Sequence, residues 1–212
     1  RVPLPPRRLP VQRRRRRRAR LRPAPLPLRR TGVADAGFCP HRRHAGRSRA
    51  AQGRLRGLRI ALPAPFTEEG FAAFNRVYGG VLAEWGLFRD GLNPVARSNV
   101  CPEIAPPSEP CFHAFVVSVP AADAPPSFAI AGSGEAAEGK GNYRDHTVAL
   151  GDLSPAGMLA KARWVLGEME RRMGVLGAGW AATTAVQVYT VHDIHPFLAT
   201  EIVARGAARH GV

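Results

Sequence analysis

A chain of 212 residues with 31 Lys and Arg against 16 Asp and Glu carries a formal net charge of +15, a balance that by itself points to nucleic acid or an anionic membrane surface. The distribution excludes that reading for most of the chain: residues 1–60 hold 20 of the bases and one acid, Asp35, whereas residues 61–212 hold 11 bases and 15 acids. Three cysteines, Cys39, Cys101 and Cys111, an odd count with no paired spacing, argue against a disulfide framework and suit a reducing, cytoplasmic setting, and no apolar run reaches the roughly 18 residues of a membrane span.

Residues 1–61 read as a leader. It is built of Arg, Pro, Ala, Gly and Leu, with an unbroken arginine block from Arg13 to Arg18, and such a segment buries too little apolar surface to offset its ordering entropy. Disorder is the expectation. Three readings stay open for it: an arginine-rich arm for nucleic acid, an organellar transit peptide, and an out-of-frame translation of GC-rich DNA, whose vocabulary it matches best. Cys39, His41 and His44 lack a second ligand pair at zinc spacing and are read as accidental.

Folded texture begins at Leu62. Thr67 is an N-cap ahead of Glu68 and Glu69, and Phe71, Phe74, Tyr78, Val81 and Trp85 recur at helical spacing, predicting a helix over 68–85 that ends at Gly86. After a loop containing Gly91 and Pro94, Arg97–Ile104 reads as a strand, and Pro102 places it at an edge. Cys111–Val119 is a second, central strand. Ser127–Ala131 reads as a third, entering Gly132-Ser133-Gly134. Ser154-Pro155 opens a long helix that stops at Gly177-Ala178-Gly179, its three methionines serving as core filler. Thr184–Val191 is a β-branched strand, and a last helix starts at Pro196 and runs to about Arg209.

These elements resemble a known family. Phe74-Asn75-Arg76-Val77-Tyr78 followed by Pro94-Val95-Ala96-Arg97-Ser98 is similar to a helix and strand of the RidA family, also called YjgF or L-PSP. Phe112-His113-Ala114, Phe128 to Glu135, the Ser-Pro-capped helix and Ala185-Val186-Gln187-Val188-Tyr189 resemble the front of the same module. The resemblance covers about residues 65–210. It implies an α+β chorismate-mutase-like fold, a mixed or antiparallel sheet with two helices on one face. It divides the chain into the leader 1–61, the back half of a first module at 62–119, and the front of an incomplete second module at 120–212, with a C-terminal segment expected beyond.

The resemblance further implies a trimer with ligand sites between subunits and hydrolysis of enamines or imines to a keto acid and ammonia, with no metal or cofactor. The ligand is then a small imino or keto acid, and neither a membrane nor, outside the leader, a nucleic acid is a partner. It assigns Arg97 to the substrate carboxylate, Asn75 to the cleft, Ser133 and Gly134 to hydroxyl and backbone contacts, and Phe112 to closing the pocket. Where the family often has cysteine two residues after the arginine this chain has Asn99, and where active members place a glutamate it has His113 or Ala114.

Imine hydrolysis needs a cation for the carboxylate, a group that positions water, and proton delivery to the departing nitrogen. A planar guanidinium grips a carboxylate through two parallel hydrogen bonds, which makes Arg97 the first catalytic candidate; His113, titrating near neutrality, is the second. Set against these are a plain surface charge for Arg97 and a satisfied, partly buried histidine for His113. Asp193, between His192 and His195, is read as a helix cap rather than a metal ligand. Cys101 and Cys111 have no base near them in sequence, and Trp164 and Trp180 are read as packing aromatics. Two alternatives to a deaminase remain: a non-catalytic carboxylate-binding or oligomeric interaction protein, and a nucleic-acid binder acting through the leader.

Overall fold

A computed structural model of the chain describes residues 54–88 and 90–212 and, upstream, the backbone of 21–24. The described residues divide into two compact units, one ending at Ala131 and the other spanning Gly132–Val212.

In the first unit, strands β1 (Leu21–Ala24), β2 (Leu55–Ala61), β3 (Ala96–Val100) and β4 (Cys111–Pro120) form one sheet in the order β1-β4-β2-β3. β4 runs antiparallel to both its neighbours, and β3 runs parallel to β2. A parallel pair needs a crossover, and helix α1 (Glu68–Glu84) supplies it. The architecture is therefore α+β with a mixed sheet, consistent with an incomplete chorismate-mutase-like fold. Of the two helices expected on one face, the described residues of this unit contain α1.

β2 corrects the expected leader boundary. Residues 55–61 were placed in a disordered segment, yet Leu55, Leu58 and Ile60 are at most 4% exposed in the middle of the sheet. The burial does not follow strict alternation: Leu55, Leu58 and Ile60 are buried and Arg56 and Arg59 partly buried, and two register shifts against β4, between Leu55 and Gly57 and between Arg59 and Ile60, re-aim the side chains along the strand. β1 lies in the same leader. The arginine block and the Cys39, His41 and His44 cluster lie outside the described residues.

α1 begins as its sequence dictates, with Thr67 Oγ1 accepting from the Gly70 N–H at 3.1 Å. It ends in a Schellman motif, in which Leu87 N–H reaches Leu82 O at 2.8 Å and Gly86 N–H reaches Ala83 O at 2.9 Å; Gly86 at φ 69° supplies the left-handed turn. Its inward stripe differs by one residue from expectation. Val81 is 37% exposed, and Leu82, at 1%, is the residue driven into the core of Leu55, Leu58, Ile60, Leu62, Leu87 and Val95. That burial contributes about 1.5–3 kcal/mol. Phe66, Phe74, Tyr78 and Trp85 close over it, and Phe112, Phe115 and Val117 join from β4. β3 stops at Val100, short of the predicted Ile104, because Cys101-Pro102 follows and proline cannot donate to a ladder.

In the second unit, helix α2 (Pro155–Val175) is capped by Ser154, whose Oγ accepts from Gly157 N–H at 3.2 Å. It ends at Gly177, φ 70°, in a second Schellman motif. Met173 is fully buried. Leu166 packs with Ile202 and Ala207, joined by Trp180 and Leu198. The buried Glu201 carboxylate accepts from Arg163 at 2.7 Å and Arg205 at 2.8 Å, and Arg205 continues to Glu170, which also takes the Trp180 indole N–H at 2.8 Å. Trp164, expected to pack, is 39% exposed.

Two predicted strands are not formed. Ser127–Ala131, at the end of the first unit, and Thr184–Val191, in the second, are irregular, since β propensity is realised only when a neighbouring backbone completes the ladder. The predicted last helix is a single turn, His195–Phe197, running into a π-helical segment, Leu198–Val203, and Gly206 at φ 86° breaks it.

Candidate active site

The site is built on the edge strand. Upstream of β3 the chain turns at Asp90 and Gly91, both in the left-handed region. Asn93 Oδ1 then accepts from Val95 N–H at 2.9 Å, an Asx turn that fixes where the strand begins. Val95, 4% exposed, anchors it. In the parallel register Arg97 stands beside Leu58 and Asn99 beside Ile60. Aligned residues on neighbouring strands share a face, and Leu58 and Ile60 are buried with Leu82 of α1. Arg97 and Asn99 therefore face the helix.

α1 meets the arginine with one stripe. Asn75 Oδ1 accepts from Arg97 Nη2 at 2.6 Å. Phe71, Phe74 and Tyr78 surround the guanidinium, with ring centroids 5.6, 5.4 and 4.5 Å from its Cζ. Phe74 and Tyr78 lie parallel, 2° apart. A cation facing aromatic rings is attracted by their quadrupoles, and the asparagine carbonyl fixes its rotation. The result is a guanidinium held at a defined angle at the open edge of the sheet, an arrangement suited to binding a planar carboxylate.

Burial raises the Tyr78 phenol above its ordinary value, with the Asn93 side chain and the Arg97 charge pulling the other way. Burial also raises the Cys101 thiol, which keeps it protonated and a poor nucleophile.

Of the residues singled out in the sequence, the structure brings together Arg97 and Asn75 in direct contact, and places Phe112 against the same core as Phe74 and Tyr78. His113 is exposed, at the irregularity where β4 slips register between Arg59 and Ile60, and is not part of this cluster. Ser133 and Gly134 belong to the second unit, where Ser133 Oγ donates to Gly134 O at 3.1 Å. Asp193 Oδ1 accepts from His195 N–H at 2.9 Å and meets His195 Nδ1 at 2.8 Å, an Asx turn rather than the expected helix cap, since the N-cap of His195–Phe197 is Ile194.

In the sequence Phe71, Phe74 and Tyr78 show only as part of one apolar helix face. Their relation to Arg97 was missed, although they stand at positions −4, −1 and +3 around Asn75 on the helix.

The family model of 2-aminomuconate deaminase CnbZ matches residues 19–212. The chain belongs to this family. The 2-aminomuconate deaminase CnbZ family is part of the RidA/YjgF-like group, as the sequence resemblance implied. Its match begins at residue 19, so most of the arginine- and proline-rich leader falls within the family's span. The chain is 43% identical over 152 residues to the 2-amino-5-chloromuconate deaminase of Comamonas testosteroni. That match covers 71% of this chain and 61% of the relative, so the chain spans less than two thirds of it. No solved structure matches. Among the described residues no helix is long and apolar enough to cross a membrane.

Proposed function

We propose that this protein is a deaminase that hydrolyses a conjugated 2-amino (enamine or imine) carboxylate to the keto acid and ammonia. Its substrates are of the 2-aminomuconate type, and Arg97 holds the carboxylate beside the reacting carbon. The observation that carries the reading is the guanidinium fixed by Asn75 and three rings at a sheet edge. The family and its relative, both named as deaminases of aminomuconates, supply the substrate class. Water adds at the imine carbon, the C–N bond breaks, and nitrogen leaves as ammonia after receiving a proton. None of this requires a cofactor. Assembly as a trimer, with the β3 edge completed by a neighbouring subunit, accords with the family resemblance and with an edge strand that carries the principal ligand group.

The test is ammonia release from an imino acid generated in place by an amino-acid oxidase, compared between the wild type and Arg97→Met. The expected outcome is a loss of at least about 100-fold in kcat/KM, the scale of a lost charge-assisted carboxylate contact; an unchanged rate rejects the role of Arg97.

A second reading, a non-catalytic carboxylate-binding protein, is favoured by one observation. His113, the residue assigned to water, is exposed at a bulge instead of standing in the cluster. Saturable turnover by the purified protein excludes it.

A further inference from the structure

The helix-facing side of β3 holds two polar side chains where a small core would place apolar ones. Besides Arg97, Asn99 stands beside buried Ile60, and Tyr78 covers Arg97 from α1. Both polar ends are buried: among the described residues Asn99 Oδ1 has no hydrogen-bond partner, and the Tyr78 hydroxyl meets the Asn93 side chain without a well-formed hydrogen bond. Buried polar groups are nearly always paired, so one unpaired and one poorly paired group on one face require an explanation. A packing role does not provide one, because phenylalanine and leucine would fill the same volumes without the desolvation cost.

We propose that Tyr78 and Asn99 recognise the nitrogen of the substrate. The inference rests on Arg97 as the carboxylate group and adds what it lacks, a means of telling an amino or imino acid from the keto acid it becomes. Asn99 Oδ1 is an acceptor, suited to the N–H of an enamine or iminium. The Tyr78 hydroxyl donates or accepts, and since burial keeps it a neutral phenol, it has a proton to offer a departing nitrogen. Asn99 lies two residues beyond Arg97 along the strand, about 6.5 Å. That spacing fits a carboxylate on the guanidinium and a nitrogen on the adjacent carbon. Arg97 itself is only partly buried, on the edge strand of the sheet formed by the described residues.

The test uses two stable planar carboxylates, 2-aminobenzoate, which has an amino group beside the carboxylate, and benzoate, which does not. Dissociation constants are measured by calorimetry for the wild type, Tyr78→Phe, Asn99→Leu and Arg97→Met. Wild type binds 2-aminobenzoate about tenfold tighter, the scale of one net hydrogen bond. In Tyr78→Phe and Asn99→Leu that ratio falls toward one, and an unchanged far-ultraviolet circular dichroism spectrum shows that the variants are folded. Arg97→Met weakens both ligands.

A second readout separates ligand recognition from structure. Without ligand, Asn99→Leu holds or raises Tm, by up to about 2–4 °C, because it removes an unsatisfied buried group, and Tyr78→Phe leaves Tm within about 2 °C of wild type because it gives up only the poorly formed contact with Asn93. A ratio that survives both substitutions, with benzoate binding still dependent on Arg97, overturns the nitrogen assignment and leaves the Arg97 reading standing. Binding of either ligand that is indifferent to Arg97→Met, or absent in wild type, overturns both.

Discussion

Asn75→Ala removes the acceptor 2.6 Å from Arg97 Nη2 and leaves the charge and the three aromatic rings in place. A hydrogen bond to a charged group contributes about 1.5–3 kcal/mol. The stacking that remains, about 0.5–1 kcal/mol at partly exposed sites, still holds the guanidinium near its plane but no longer fixes rotation within it. The expected result is a loss of about 10- to 100-fold in kcat/KM for ammonia release, at about 1.4 kcal/mol per decade. Most of it appears in kcat, since misalignment is felt in the transition state more than in ground-state binding. If Asn75 acts through Arg97, the two losses are not additive: in an Arg97→Lys background, Asn75→Ala costs less than about threefold. Additive losses in that double-mutant cycle would refute the orienting role and place Asn75 on the substrate independently.

Leu82→Ala empties the centre of the first unit's core, where the side chain is 1% exposed, and lowers unfolding free energy by about 2–5 kcal/mol, read from the urea midpoint. Ser154→Ala removes the cap at the α2 N-terminus and costs about 1 kcal/mol, measured the same way. The Glu168 carboxyl is pulled from 4.5 to about 2, first by the hydrogen bond from Arg171 and then by Arg172. Its folded pKa is depressed, so its stabilisation is present above about pH 4.5 and is lost as pH falls toward 2. Glu168→Gln is therefore less stable than wild type at pH 6, by about 1 kcal/mol after solvent screening, and the difference closes by pH 2. Cys101, its thiol raised by burial, is alkylated by iodoacetamide at pH 8 several-fold more slowly than a thiol in the urea-unfolded chain; equal rates would remove the case against its nucleophilicity.

The helices were legible because their signals are local. Thr67 with Glu68 and Glu69, Ser154-Pro155, and the terminal Gly86 and Gly177 each act within one turn. Strand identity depends on partners distant in the chain. Thr184–Val191 has strand composition and no ladder, while Leu55–Ala61, masked by arginines of leader character, is a central strand because β3 and β4 flank it. In the site, Arg97 and Asn75 were recoverable because both belong to local motifs around one helix and one strand. The aromatic cradle was hidden because Phe71, Phe74 and Tyr78 satisfy the helical apolar pattern completely, and nothing in a periodicity says that the object they pack on is a cation. His113 was misjudged for a related reason. Alternation along β4 predicts its neighbours, but the register shift between Arg59 and Ile60 is invisible before pairing is known.

The placement of Arg97 is costly for so small a unit. Among the described residues seven form its buried cluster, and the face of β3 that could extend it carries Arg97 and Asn99. A leucine at either position would deepen the core at a site where apolar burial is worth about 1.5–3 kcal/mol. The aromatic residues offset part of this. Phe71, Phe74 and Tyr78 contribute apolar area to the helix stripe and at the same time present their electron-rich faces to the guanidinium, so one set of side chains serves both packing and charge. That double use also explains why lysine is no substitute. A compact, strongly hydrated ammonium cannot lie flat against rings while donating to Asn75, and at this position it would forfeit the stacking and the fixed orientation together.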